Sequence, residues 1–222
     1  LTIPTPEAGG GSDIGWQLAP GERNDADIRF VDALIQTLDS TYQIDGRRIY
    51  ATGFSRGAIF CYLLLAMRPQ LFAAFAPVSG FSLPHLKWAS VPRAILATHG
   101  MNDDTVPLSL AELARNHFLR VNGCDGDAVP WEPAQRAGPV SVLYPPGSSA
   151  QPLVWSVHSG GHEWPAGTTA NSVTFFQAQA LADPPLAVDP SSALDTSGSV
   201  AGTGSPGYSG DGGSAAAAQL YF

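Results

Sequence analysis

Residues 47–57, Arg-Arg-Ile-Tyr-Ala-Thr-Gly-Phe-Ser-Arg-Gly, constrain this chain more than any other stretch. A run suited to a β-strand (Ile49, Tyr50, Thr52) leads into Gly53-Phe54-Ser55-Arg56-Gly57, and a helix-compatible stretch follows. G-x-S-x-G between a strand and a helix describes a sharp turn that lifts a serine hydroxyl clear of the backbone. A serine Oγ becomes a nucleophile only where a base can reach it, so it must stand proud. The turn drives the serine into a strained conformation, and the glycines on either side are expected to remove Cβ atoms that would clash. The following helix aims its first N–H groups, that of Arg56 foremost, at the space where an oxyanion would form.

Partners for Ser55 lie downstream. Residues 94–107 read as a buried strand followed by a polar loop carrying Asp103 and Asp104. Residues 153–165 read as another strand, then a glycine-bracketed loop carrying His162. Ser, then Asp, then His along the chain is the order of the α/β-hydrolase fold, unlike the orders of chymotrypsin or subtilisin. All three residues are expected just past the carboxyl ends of parallel strands, where open α/β sheets gather their sites. Either Asp103 or Asp104 is close enough in sequence to serve as the acid. His99 reads as a hydrogen-bonding residue at a strand end, His117 as a core residue on an apolar stripe, and His85 and His158 as residues without a special role. His99, Asp103 and Asp104 have ligand chemistry, but no second cluster completes a metal site, and neither a metal nor a cofactor is expected.

The rest of the pattern alternates strands and helices. Helices are expected at 25–42, 56–67, 107–122 and 168–182, with Asn24 to Asp27 offering caps for the first. Strands are expected at 72–79, 94–98, 141–144 and 153–157, besides the one before Ser55. That alternation implies βαβ units around a mostly parallel sheet with flanking helices. The 222 residues suffice for one domain with a core and an appendage. With a formal charge of −8 and eleven scattered basic residues, there is no basic patch to hold nucleic acid or an anionic membrane. Cys61 and Cys124 read most simply as a buried helix thiol and an unrelated loop thiol, with one disulfide as the alternative.

From about Trp16 to Ala182 the chain resembles the secreted α/β-hydrolase esterases grouped with polyhydroxybutyrate depolymerases and feruloyl esterases. The resemblance rests on Asp27–Leu34, Asp45–Ser55, Phe72–Gly80, His99–Asp103 with Val106-Pro107, Asn122-Gly123-Cys124, and Gly160–Pro165. It implies a Ser55–Asp103–His162 triad, preferring Asp103 over Asp104 and His162 over His158. It further implies an ester substrate, either a polyester or a feruloyl or acetyl ester of plant cell walls, and an extracellular site of action. Trp164 is the candidate aromatic wall for substrate. Two residues depart from the family pattern: Arg56, where a small or amide residue is usual, and Ala58, where glycine is frequent. Family members also carry N-terminal strands with a His-Gly loop that supplies a second oxyanion donor. Nothing before Trp16 matches them, so the Arg56 N–H is the one donor identified, and the hydrolase domain, 1–185, is expected to lack those strands. An impaired hydrolase fold serving as a binding or scaffolding protein is the competing expectation.

Composition shifts after Pro185. Residues 186–197 read as a linker, and 198–222 either as a Gly/Ser/Ala-rich tail or as the start of an NHL-type β-propeller repeat, which Val200–Gly204, Gly207–Gly213 and Ala218–Leu220 resemble. On the second reading the chain stops just inside a further domain and is a piece of a longer protein.

Overall fold

The computed structural model describes residues 15–82, 87–134 and 138–182. His85, the expected linker and the expected propeller segment lie outside the described residues. The described residues fall into two compact units, one holding 15–17 and 21–44, the other 18–20 and 45–182.

In the first unit a single helix, α1 (Ala26–Tyr42), follows a short 3-10 turn. Its start is built differently from the expected cap. Asp25 makes no side-chain cap bond; its carboxylate accepts the Gly21 N–H at 2.8 Å and the Gln17 side-chain amide at 2.9 Å. The fully buried Gln17 does the capping instead, its Oε1 accepting the N–H groups of Asp27 at 3.2 Å and Ile28 at 3.4 Å. A residue ten positions upstream thus satisfies the donors that a local Asn or Asp usually takes.

The second unit is a six-stranded sheet formed by β1 (Tyr50–Phe54), β2 (Ala74–Val78), β3 (Ala94–Gly100), β4 (Val129–Pro130), β5 (Val140–Tyr144) and β6 (Leu153–His158), in the order β1-β2-β3-β6-β5-β4. The first four strands in that order run parallel, and β5 and β4 add on antiparallel. The sheet is therefore mostly parallel, with helices α2 (Arg56–Met67), α3 (Leu108–Asn122) and α4 (Thr168–Gln177) flanking it. All of β2 and β3 is buried, as expected for parallel strands covered on both faces. The pleat sorts side chains between those faces. Val154 joins Ala74, Ala76, Ala94, Leu96 and Trp131 in a cluster closed by Phe175 of α4. Its neighbour Trp155 points the other way, under the guanidinium of Arg115 on α3 at 5.0 Å. Tyr62 of α2 stacks on Phe118 of α3, ring centroids 5.7 Å apart, so these two helices share that second face. Each large apolar side chain buried this way contributes about 1.5–3 kcal/mol, and α2, buried continuously from Ala58 to Leu65, is anchored strongly at the point that sets the turn before it.

Two expectations change. The last helix ends at Gln177, not 182, because its end is tied to the stretch entering β1. Arg48 and Tyr50 side chains take the carbonyls of Gln177 and Gln179, and the Leu181 N–H goes to the Arg47 carbonyl at 2.9 Å. The two-residue strand β4 was not expected; nothing so short carries a period. Pro77 sits in an interior strand, where a missing N–H is costly. It falls in the gap of the β2–β3 register, between the pairs Phe75↔Ile95 and Val78↔Thr98, where a residue that cannot donate interrupts the pairing.

Candidate active site

Three loops leave the carboxyl ends of β1, β3 and β6, which lie within one parallel array. The first is the turn at Ser55, whose φ of 54° and ψ of −118° are a conformation that L residues rarely adopt. Its surroundings hold it there. The Ser55 N–H donates to the Val78 carbonyl at 2.9 Å, while its own carbonyl accepts from Ala58 and Ile59 at 2.9 and 3.1 Å. Gly53 is required: a Cβ there would lie 2.5 Å from the Gly57 backbone. Gly57 is not, since a Cβ on it would meet nothing within 4 Å, so the expectation that both glycines avoid a clash holds for Gly53 alone. The Ala at position 58 has its own accommodation. A Cβ on Gly80 would lie 2.4 Å from the Ala58 Cβ, so Gly80, just past β2, leaves the room that Ala58 fills.

The second and third loops are locked together. Gly100, the last residue of β3, lets the Gly160-Gly161 backbone pass where its own Cβ would stand. Met101 and Asn102 donate their N–H groups to the carbonyls of His158 and Gly160 at 2.8 and 3.1 Å, and the Asn102 side chain donates to the Ser159 carbonyl at 2.7 Å. Between the loops, His162 Nδ1 lies 2.8 Å from Asp103 Oδ2, and His162 Nε2 lies 2.8 Å from Ser55 Oγ. Asp103 is buried, its Oδ1 accepting the N–H groups of Val106 at 2.8 Å and Thr105 at 3.0 Å. Burial pushes its pKa up, but the Val106 N–H, His162 and the Thr105 N–H together outweigh it and hold the carboxyl below its ordinary value. Asp104 is exposed, with one oxygen 3.4 Å from the Thr105 hydroxyl.

A carboxylate that can only accept fixes the proton of His162 on Nδ1, leaving Nε2 as a lone pair facing the serine hydroxyl. Arg56 opens α2, so its backbone N–H belongs to the first turn of that helix. Trp164 is exposed two residues past His162 and donates through Nε1 to the Thr169 hydroxyl at 3.1 Å.

A family profile described as phospholipase/carboxylesterase matches residues 22–136. The chain belongs to that family. It is also similar to feruloyl esterase D of Neurospora crassa, 30% identical over 152 residues that cover 68% of this chain and 51% of the relative. Feruloyl esterase C of Emericella nidulans is 30% identical over 153 residues, covering 69% and 54%. Among solved structures, an acetyl xylan esterase from Aspergillus awamori superposes with a TM-score of 0.53 at 16% identity, over 72% of this chain and 69% of that one, which supports the α/β-hydrolase fold. The chain spans about half the length of the curated relatives it matches.

One neighbour of His162 carries no signal in the motifs. Phe54, the variable residue before Ser55, places its ring 4.8 Å from the imidazole of His162. His99 is buried, with Nε2 at 2.8 Å from the Val106 carbonyl and 3.5 Å from Asp103 Oδ2. His117 donates from Nε2 to the Ala89 carbonyl, 2.8 Å away, and stands edge-on to Phe118. Both cysteines are free thiols, so the alternative of a Cys61–Cys124 bridge is corrected: Cys61 is buried within α2, and Cys124 faces the Gln151 carbonyl at 3.7 Å. Among the described residues no cluster of His, Cys, Asp or Glu is arranged to hold a metal, and no helix is long and apolar enough to cross a membrane.

Proposed function

We propose that the chain carries the machinery of a serine carboxylic-ester hydrolase, acting outside the cell on feruloyl or acetyl esters of plant cell-wall polymers. The observation that carries this reading is the unbroken hydrogen-bond chain from Asp103 through His162 to Ser55, with both links at 2.8 Å. Ser55 Oγ attacks the ester carbonyl as its proton passes to His162 Nε2. Asp103 stabilises the imidazolium that forms, and its depressed basicity keeps it from taking the proton itself. The oxyanion forms against the Arg56 N–H at the start of α2, a donor worth about 10²–10³ in turnover in sites of this type. The tetrahedral adduct collapses as His162 returns the proton to the departing alkoxide, leaving an ester on Ser55. Water, activated by the same imidazole, then releases the acid and restores the serine.

The substrate class is supported by the relatives, which are feruloyl esterases. Trp164 is assigned as a wall for the aromatic or sugar part of such a substrate. Its indole is anchored by Thr169, which limits the entropy lost when a ring stacks on it. Labelling with a fluorophosphonate, followed by hydrolysis of methyl ferulate, an acetylated xylan and poly(3-hydroxybutyrate), tests the reading. Wild-type protein should be labelled and Ser55→Ala should not, and the two cell-wall esters should be cleaved ahead of the polyester. Labelling that survives Ser55→Ala moves the nucleophile elsewhere; preferential cleavage of the polyester replaces the substrate class.

A further inference from the structure

The mechanism above uses Asp103 but leaves unexplained what holds its loop in shape. The loop from Met101 to Pro107 connects β3 to α3, and Val106 is held at both ends. Its N–H donates to Asp103 Oδ1 at 2.8 Å, and its carbonyl receives His99 Nε2 at the same distance. A carbonyl oxygen can only accept, so Nε2 carries the proton. The side chains of His99 and Asp103 are 1% and 0% exposed, so no water competes for these bonds. The Nε2–H end of the ring dipole also faces Asp103 Oδ2 at 3.5 Å, the same oxygen that accepts from His162.

We propose that His99 is a positioning residue for the catalytic acid: its Nε2–H clamps the Val106 carbonyl, fixing the segment whose N–H orients Asp103 toward His162. The proposal rests on the reading of Ser55, His162 and Asp103 as a triad. Burial keeps His99 below its ordinary basicity, so the ring stays neutral and its Nδ1 unprotonated. A charged imidazole so close would compete with His162 for the carboxylate; a neutral donor does not. Loss of the clamp lets the Val106 segment swing and turns Oδ2 away from His162 Nδ1. A misplacement of that size costs up to about 100-fold in rate without altering substrate contacts.

The test is steady-state hydrolysis of p-nitrophenyl acetate by the full chain and its variants. In His99→Gln the amide nitrogen reaches the place of Nε2; in His99→Asn it stops one methylene short. His99→Asn is expected to lower kcat about 10- to 100-fold with KM little changed, and His99→Gln to recover most of it. In an Asp103→Asn background, the His99→Asn change should cost less than about twofold more, because the carboxylate it positions is gone. An equal loss in both backgrounds, or no rescue by Gln, overturns the positioning role and leaves the triad standing. An Asp103→Asn variant with wild-type kcat overturns the triad and the proposal with it. Nitrogen NMR of histidine-labelled wild-type protein makes the test without any substitution. His99 should show a protonated Nε2 and a bare Nδ1; the opposite tautomer cannot clamp Val106 and overturns the proposal.

Discussion

Gly100 and Gly161 approach so closely that a Cβ on Gly100 would stand 2.2 Å from the Gly161 carbonyl oxygen. Gly100 ends the strand that leads to Asp103, and Gly161 immediately precedes His162. The spacing between acid and histidine is therefore set by two backbones in contact. Gly100→Ala must push them apart, since the clash is with backbone that has no rotamer to escape into. We expect a loss of about 1–3 kcal/mol in stability and about 100-fold in kcat/KM, read by urea unfolding and ester hydrolysis. Wild-type kinetics in that variant would show that the loops find their spacing by other means.

The two glycines around Ser55 should respond in opposite ways. Gly53→Ala drives a Cβ into the Gly57 carbonyl and should abolish folding or activity. Gly57→Ala meets open space inside a helix, where alanine outranks glycine by up to about 1 kcal/mol. Thermal midpoints of the two variants decide this. A Gly57→Ala protein as damaged as Gly53→Ala would mean that the space beside Gly57 is filled in solution.

Asp103→Asn should reduce kcat by about 10⁴-fold, because an amide can donate to His162 and favour the wrong tautomer, while Asp104→Asn should leave kcat near wild type. The pH dependence of stability carries a second signature. A carboxyl held below its unfolded value of about 3.9 contributes stability that is present above that pH and lost as pH falls through the folded value. The difference in unfolding free energy between wild type and Asp103→Asn should thus shrink below about pH 4. His99 behaves with the same sign around a higher pH. Its folded pKa is depressed, so its neutral form supports the fold fully above about 6.5, and that support is lost as pH falls below this value. A wild-type to Asp103→Asn gap that widens in acid would contradict the assignment of Asp103 as an ionised, hydrogen-bonded carboxylate.

Two thiols should be counted when the protein is unfolded without reductant. In the native state Cys61 should resist Ellman's reagent, since burial pushes its pKa up to about 12 and shields it from reagent. Cys124, half-buried and also raised by burial, should react slowly. Finding no thiol in the unfolded, unreduced chain would restore the disulfide.

The long elements were legible because periodicity and punctuation are local. The i, i+3, i+4 pattern of α1, the apolar runs of β2, β3 and β6, and the stop at Gly123 (φ 65°) need only neighbouring residues to express themselves. What escaped depends on residues distant in the chain. Gln17 caps α1 from ten residues away, Arg47 to Tyr50 end α4, and Gly80 makes room for Ala58. Local preference is silent on all three, because the competing bond or contact exists only after folding.

The sequence alone determined the order of serine, aspartate pair and histidine, the strand ahead of each, and the strained turn at Ser55, since these follow from backbone sterics and hydrophobic period. On the residues alone it left open which of two adjacent aspartates faces His162 and whether the cysteines join. The tertiary structure decided these. The loop after β3 turns the Asp103 carboxylate inward onto the N–H groups of Thr105 and Val106, and leaves Asp104 in water. One residue of register reverses a side chain's direction, and only packing against the neighbouring loop selects which residue is buried.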